Sequence, residues 1–156
     1  MNSQYVGSLA GTKSYKIKQV GLRMVKEKTI SLPIDRCSDP AQAALIGHKL
    51  IGHMPIEYMI AILINSGGDI TNITTLSQGG AHSASLKVPD ILRAVLIGHA
   101  DAFVLIHNHP NNDPTPSRQD LETTAAIGIA ANLVGLPMLD HLVVTAEKMK
   151  FRSCLG

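Results

Sequence analysis

Aromatic residues are scarce in this chain: three Tyr, two Phe and no Trp among 156 residues. Stacking platforms for single-stranded nucleic acid need exposed rings, so the composition weighs against that class. Cysteine is limited to Cys37 and Cys154, which do not form a pair spacing such as C-x-x-C and read as reduced, cytosolic thiols. No run approaches the roughly 18 to 20 apolar residues of a membrane span, and residues 1–22 hold no apolar block of signal-peptide length. A soluble, cytoplasmic protein is the expectation. Strong charge of one sign is also missing, since 14 basic and 12 acidic residues leave a formal charge of +2. The chain as a whole therefore has no strong attraction to a phosphate backbone.

Hydrophobic residues make up 45% of the chain and charged residues 17%, which suits a compact globule and excludes a disordered one. The length fits one ordinary domain with a core of its own, so a bound metal would be free for chemistry rather than needed for folding. Basic residues cluster at Lys13, Lys16, Lys18, Arg23, Lys26 and Lys28, with Glu27 as the only acid among them. This stretch reads as a solvated face or a strand edge guarded by lysines in preference to a nucleic-acid arm.

Residues 1–16 are expected to form a loosely ordered leader, with a single domain over 17–156. Ile17, Val20, Leu22, Met24 and Ile30 recur among lysines, which predicts one or two half-buried strands. Ser38-Asp39-Pro40 offers a cap and a proline at the first helical position, predicting a helix over Ala41–His53. Tyr58–Ile64 is a short, nearly unbroken apolar run ended by Asn65-Ser66-Gly67-Gly68-Asp69, hence a central strand entering a turn, with Ile70, Ile73 and Leu76 on its hairpin partner. Pro89 starts a second helix that reaches about His99, and Ala102–Ile106 is another strand. The proline-rich segment from Pro110 to Pro116 is loop. A third helix is predicted from Ser117 to about Leu133, stopped by Gly135 and Pro137, before closing strands over Met138–Thr145 and Met149–Cys154. Strands alternating with three helices predict an α/β fold, a mixed β-sheet with helices on its faces.

The chemistry concentrates in His107-x-His109-Pro110-x6-Ser117-x-x-Asp120. Residues two apart in an extended segment point the same way, so both imidazoles can meet at one point where a buried strand becomes a loop. Asp120, three residues into the following helix, can turn its carboxylate back to complete a three-ligand set. Two imidazoles and a carboxylate suit Zn²⁺, which as a catalytic ion keeps a fourth position for water. Each piece also has an ordinary explanation, because Ser117 and Asp120 are what a helix cap requires. The cap nevertheless sets Asp120 beside the histidine pair, and Ser117 can serve as both cap and active-site hydroxyl. A catalytic metal also needs a proton carrier, and the chain has four glutamates, Glu27, Glu57, Glu122 and Glu147. By position alone, Glu57 is either a water-exposed residue at a strand start or a carboxylate facing a polar site.

Glu57 together with His107-x-His109-Pro110-x6-Ser117-x-x-Asp120 resembles the JAMM signature, also called JAB or MPN+. His107-Asn108-His109-Pro110, Asp113-Pro114-Thr115-Pro116-Ser117-Arg118 and Leu139-Asp140-His141-Leu142 resemble its bacterial RadC-like branch, over roughly Ile17 to Gly156. The resemblance implies a cytidine-deaminase-like fold, one zinc held by His107, His109 and Asp120, and water activated by Glu57, while Ser117 is expected to donate a hydrogen bond to the oxyanion of the intermediate. It further implies a metallopeptidase or isopeptidase acting on a peptide or isopeptide substrate, often beside a ubiquitin-like protein. Full-length relatives carry an N-terminal helix-hairpin-helix segment, for which no room is expected here, and the loop has Asn111-Asn112 where that branch often has Ser-Gly.

Gly7 to Ser14 approaches a phosphate-binding loop but lacks its spacing and a preceding strand. No His-Glu-x-x-His occurs, nor the His-x-Glu and Pro-Cys-x-x-Cys pair of base deaminases. His48, His53, His82 and His99 read as surface groups, and Asp140 with His141 as a structural hydrogen-bonding pair near the site. The rival readings are a DNA-associated accessory module, motivated by the basic stretch, and an interaction domain with an idle site. Oligomeric state is not written in the spacing, which is compatible with a homodimer.

Overall fold

A computed structural model describes residues 15–79 and 86–156. The expected leader lies outside these residues except for Tyr15 and Lys16, as do His82 and the Gly7–Ser14 stretch. Among the described residues the elements run α1 (Pro40–Gly47), a π-helical turn (His48–Gly52), β1 (Tyr58–Ile64), β2 (Ile70–Gln78), α2 (Val88–Ile97), β3 (Ala102–Asn108), α3 (Arg118–Leu133), β4 (Met138–Val144) and β5 (Phe151–Ser153). The strands form one mixed sheet in the order β2-β1-β3-β4-β5, parallel only between β3 and β4. The antiparallel pairs β1–β2 and β4–β5 are joined by short turns, β1 reaches its other antiparallel neighbour β3 through β2 and α2, and the parallel pair β3–β4 needs a crossover, which α3 supplies. Among the described residues no helix is long and apolar enough to cross a membrane.

The central strands are apolar throughout because both faces of the sheet are covered. Alternation divides their side chains. Ile60, Ile62, Ile64, Val104, Ile106, Leu142 and Val144 pack with Ala43, Ala44 and Ile46 of α1. Ala61, Leu63, Phe103 and Leu105 pack instead with Ile91 and Val95 of α2 and Ile127 and Ala131 of α3. Each isoleucine, leucine or phenylalanine fully buried in this way stabilises the fold by about 1.5–3 kcal/mol against leaving it in water. Gly47 lets α1 lie close on β3, since a Cβ there would fall 2.6 Å from Ile106 Cγ2.

Three expectations need correction. The strands read over Ile17–Ile30 are absent, and Ile17, Val20, Leu22 and Val25 are 79–89% exposed. Alternating apolar residues make a strand only where a neighbouring edge accepts their backbone hydrogen bonds, and no described strand pairs with this segment. The helix read over Ala41–His53 begins as expected but changes winding at His48, where a five-residue π turn takes over beside the contact of His48 Nδ1 with the Thr145 carbonyl at 3.1 Å. That contact makes His48 a half-buried group rather than a surface one; His53 and His99 are exposed as expected.

Candidate metal centre

The first two donors come from the end of β3. His107 is the penultimate residue of the strand and His109 the first beyond it, and both project to the side of the sheet covered by α3. The third comes from the first turn of α3. Ser117 caps that helix reciprocally: its Oγ accepts the Asp120 N–H at 3.2 Å, while Asp120 Oδ2 accepts the Ser117 N–H at 2.7 Å. The cap holds the carboxylate facing back over β3, where Oδ1 lies 3.4 Å from His107 Nε2 and Oδ2 lies 3.6 Å from His109 Nε2. The two Nε2 atoms are 3.1 Å apart. Sequence spacing thus predicted both the cap and the convergence, and the structure brings all three side chains together.

Hydrogen bonding decides what these atoms can be. Thr124 Oγ1 donates its single proton to the Asp120 carbonyl at 2.6 Å, so its 2.6 Å contact with His141 Nδ1 requires that nitrogen to donate. Burial pushes the His141 imidazole down to a pKa of about 3, reinforced by the nearby His107, so it is neutral and its Nε2 is bare. The bare Nε2 accepts from His107 Nδ1 at 2.9 Å, so the proton of a neutral His107 ring is on Nδ1 and its Nε2 lone pair faces the cluster. On the other imidazole, Nδ1 donates to the Asp113 carbonyl at 2.8 Å, so the neutral ring presents a bare Nε2 as well. In their neutral forms the two rings turn nitrogen lone pairs towards the Asp120 carboxylate, a set of three donors that a cation would satisfy. Asp120 is held well below the usual carboxylate range: burial alone would raise its pKa, but the bonds to His107, His109 and Ser117 outweigh that. His109 is raised above its ordinary value, chiefly by Asp120 and against the effect of burial.

The donor set fits a divalent ion. A tetrahedral ion bonded at roughly 2.0–2.2 Å holds its ligands about 3.3–3.5 Å apart, close to the separations found here. Each imidazole also has its second nitrogen bonded to a fixed partner, the arrangement that sets the tautomer of a histidine ligand. Beside the cluster lies a cavity of about 240 Å³ lined by Glu57, Tyr58, Met59, Ser77, His107, Ser117, Asp120, Thr123 and His141 among others. Glu57 stands exposed on its rim, immediately before β1.

Three features escaped the sequence reading. Thr124 was not singled out, although its spacing of four from Asp120 is that of a threonine bonding back along a helix. The ring of His141 pairs with His107 and Thr124 rather than with Asp140, whose carboxylate accepts the His141 backbone N–H at 2.7 Å and the Ser153 hydroxyl at 2.7 Å. That pairing depends on β3 and β4 lying side by side, which local spacing does not contain. The hydroxyl of Ser117 is also committed here, donating to Asp120 Oδ2 at 2.6 Å. Cys37 and Cys154 are buried, and burial pushes both thiols up to about 11, so they take no part.

Comparison with other proteins gives relatives of the chain. A protein of Neisseria meningitidis named "UPF0758 protein" is 27% identical over 151 residues, covering 97% of this chain and 66% of its own length. A second protein of that name, from Symbiobacterium thermophilum, is 32% identical over 111 residues, which cover 71% of this chain and 47% of the relative. The chain thus spans just under two thirds of the first relative and about half of the second. A family model described as RadC-like JAB domain matches residues 37–154. The match runs from just before α1 to just past β5, through the whole sheet and all three donors, and this chain belongs to the RadC-like JAB domain family.

Proposed function

We propose that the chain is a zinc-dependent hydrolase of peptide or isopeptide bonds. The observation that carries this reading is the meeting of three metal-donor side chains beside a cavity with a carboxylate, Glu57, on its rim. His107, His109 and Asp120 would hold the zinc, whose chemistry when bound is to polarise a carbonyl and to bring the pKa of bound water to about 7. Glu57 takes the proton from the attacking water and returns it to the departing amine, so that no net charge builds up on the protein. Ser117 can rotate its hydroxyl from Asp120 towards the oxyanion of the addition intermediate, while its backbone N–H keeps the carboxylate in place. A donor of that kind is worth roughly 3 kcal/mol of barrier.

Elemental analysis of the purified protein tests the first half of this reading, with one zinc per chain expected. A panel of peptide and isopeptide substrates with and without chelator tests the second. Glu57→Gln should keep the zinc and lose at least about 100-fold in turnover, as removal of a general base does. Cleavage by that variant at the native rate would show that Glu57 is not the base.

A second reading, a DNA-associated module, is favoured by the exposure of Lys16, Lys18, Arg23, Lys26 and Lys28. Salt-dependent retention on DNA that disappears when these residues are neutralised would support it, and no retention at low salt would dismiss it.

A further inference from the structure

Asn108 stands between the two imidazole donors, yet alternation along β3 sends its side chain to the other face of the sheet, away from the cluster. It is completely buried there, a costly place for a carboxamide unless its bonds are met. Three are met, all by one short stretch of main chain. Oδ1 accepts the Tyr58 N–H at 2.7 Å, and Nδ2 donates to the carbonyls of Ile56 at 3.1 Å and Met54 at 3.2 Å. Those residues bracket Glu57 on both sides. Just past the end of β2, Gly79 donates its N–H to the Glu57 carbonyl, and a Cβ on Gly79 would lie 2.7 Å from that oxygen. Met54 to Glu57 is otherwise an exposed connection without helix or strand structure, so nothing in its own conformation sets the height of the carboxylate above the cavity.

We infer that Asn108 is a positioning residue for Glu57. It ties the connection that carries the proposed base to the same strand that carries His107 and His109, so that base and donors move as one body. The role rests on the reading of Glu57 given above. It accounts for an amide in this place: one acceptor and two donors are needed together, to satisfy one N–H and two carbonyls. Aspartate would set an oxygen against both carbonyls, and alanine would leave all three groups without a partner.

Cobalt(II) in place of the native metal offers a readout that does not depend on knowing the substrate, because its visible absorption responds to the solvent ligand and to what that solvent is bonded to. Glu57→Gln should change the band. Asn108→Ala should change it in the same direction with one cobalt still bound per chain, and the double variant should match Glu57→Gln alone, since Asn108 acts only through Glu57. A residue that merely stabilised the fold would lower the melting temperature and leave the band where it was. If Glu57→Gln moves the band and Asn108→Ala does not, or if the two effects add, the positioning role is overturned while the proposed base stands. If Glu57→Gln leaves the band unmoved, both fall. Hydrogen exchange in the unmutated protein supplies an arm that needs no variant to fold: the Tyr58 amide and the Asn108 Nδ2 protons should exchange as slowly as those inside β1, and exchange at the rate of a free amide would refute the clasp.

Discussion

Helices α1 and α3 both begin with a side-chain cap and a residue three further on that bonds back, and they end in different chemistry. At α1, Asp39 accepts the Gln42 N–H at 2.9 Å and Gln42 reaches back to the Ser38 N–H at 2.9 Å. At α3, Ser117 accepts from Asp120 and Asp120 reaches back to Ser117, so this cap is reciprocal, whereas at α1 the return bond falls on the residue before the cap. What differs is the returning side chain and the place. Gln42 is a neutral amide beside the Asn65–Asp69 turn, to which this part of the chain is tied by the bond from the Cys37 N–H to the Gly68 carbonyl. Asp120 is a carboxylate with oxygens to spare, at the opposite end of β1 and across from two imidazoles. A helix cap can offer a metal donor when the far side of the gap supplies the others.

Acid should separate the two helix starts most strongly. The first turns of α3 close over His141, held neutral with its pKa near 3 against the usual 6.5. Because the unfolded chain binds that proton more readily, the contribution of His141 is fully present above pH 6.5 and is lost as pH falls towards 3. At about 1.4 kcal/mol per pH unit the loss amounts to roughly 4–5 kcal/mol at most. His109, raised in the folded state, works in the opposite sense. Urea denaturation of metal-stripped protein between pH 7 and 4 should show this fall, and His141→Gln should flatten it. An unchanged slope in that variant would remove His141 as its source.

Asp120→Ala comes next in size. It deletes a donor as well as the cap, so zinc affinity should drop by more than about 100-fold, since altering a residue that only orients a ligand already costs 10–100-fold. A competition titration with a chromophoric chelator measures it, and near-native affinity would mean that the carboxylate is only a cap. Asp39→Ala is the matching control at α1 and the smallest effect. It should cost about 1 kcal/mol in thermal stability and leave zinc affinity unchanged. A weakened metal site in that variant would contradict the separation drawn here.

Much of this was legible in the residues. The apolar runs of β1 and β3, the prolines opening α1 and α2 and the Ser117-x-x-Asp120 cap are local patterns, and local patterns report elements well because each rests on interactions within a few residues. The Ile17–Ile30 segment shows where this stops: its alternation is real, but a strand is half of a pair and the other half is not written in the strand. Thr124 and Asn108 went unnoticed for the same reason, since their partners lie 17 and about 50 residues away in the chain.

By itself, then, the sequence determined the elements, the cap and the spacing that lets His107 and His109 face one side. Only the tertiary structure decided that β4 lies against β3, so that His141 can direct the lone pair of His107, and that the connection before β1 passes beneath Asn108. Those choices depend on which strands become neighbours, and neighbours are selected by burying both faces of the sheet at once, a condition satisfied by the whole chain rather than by any segment of it.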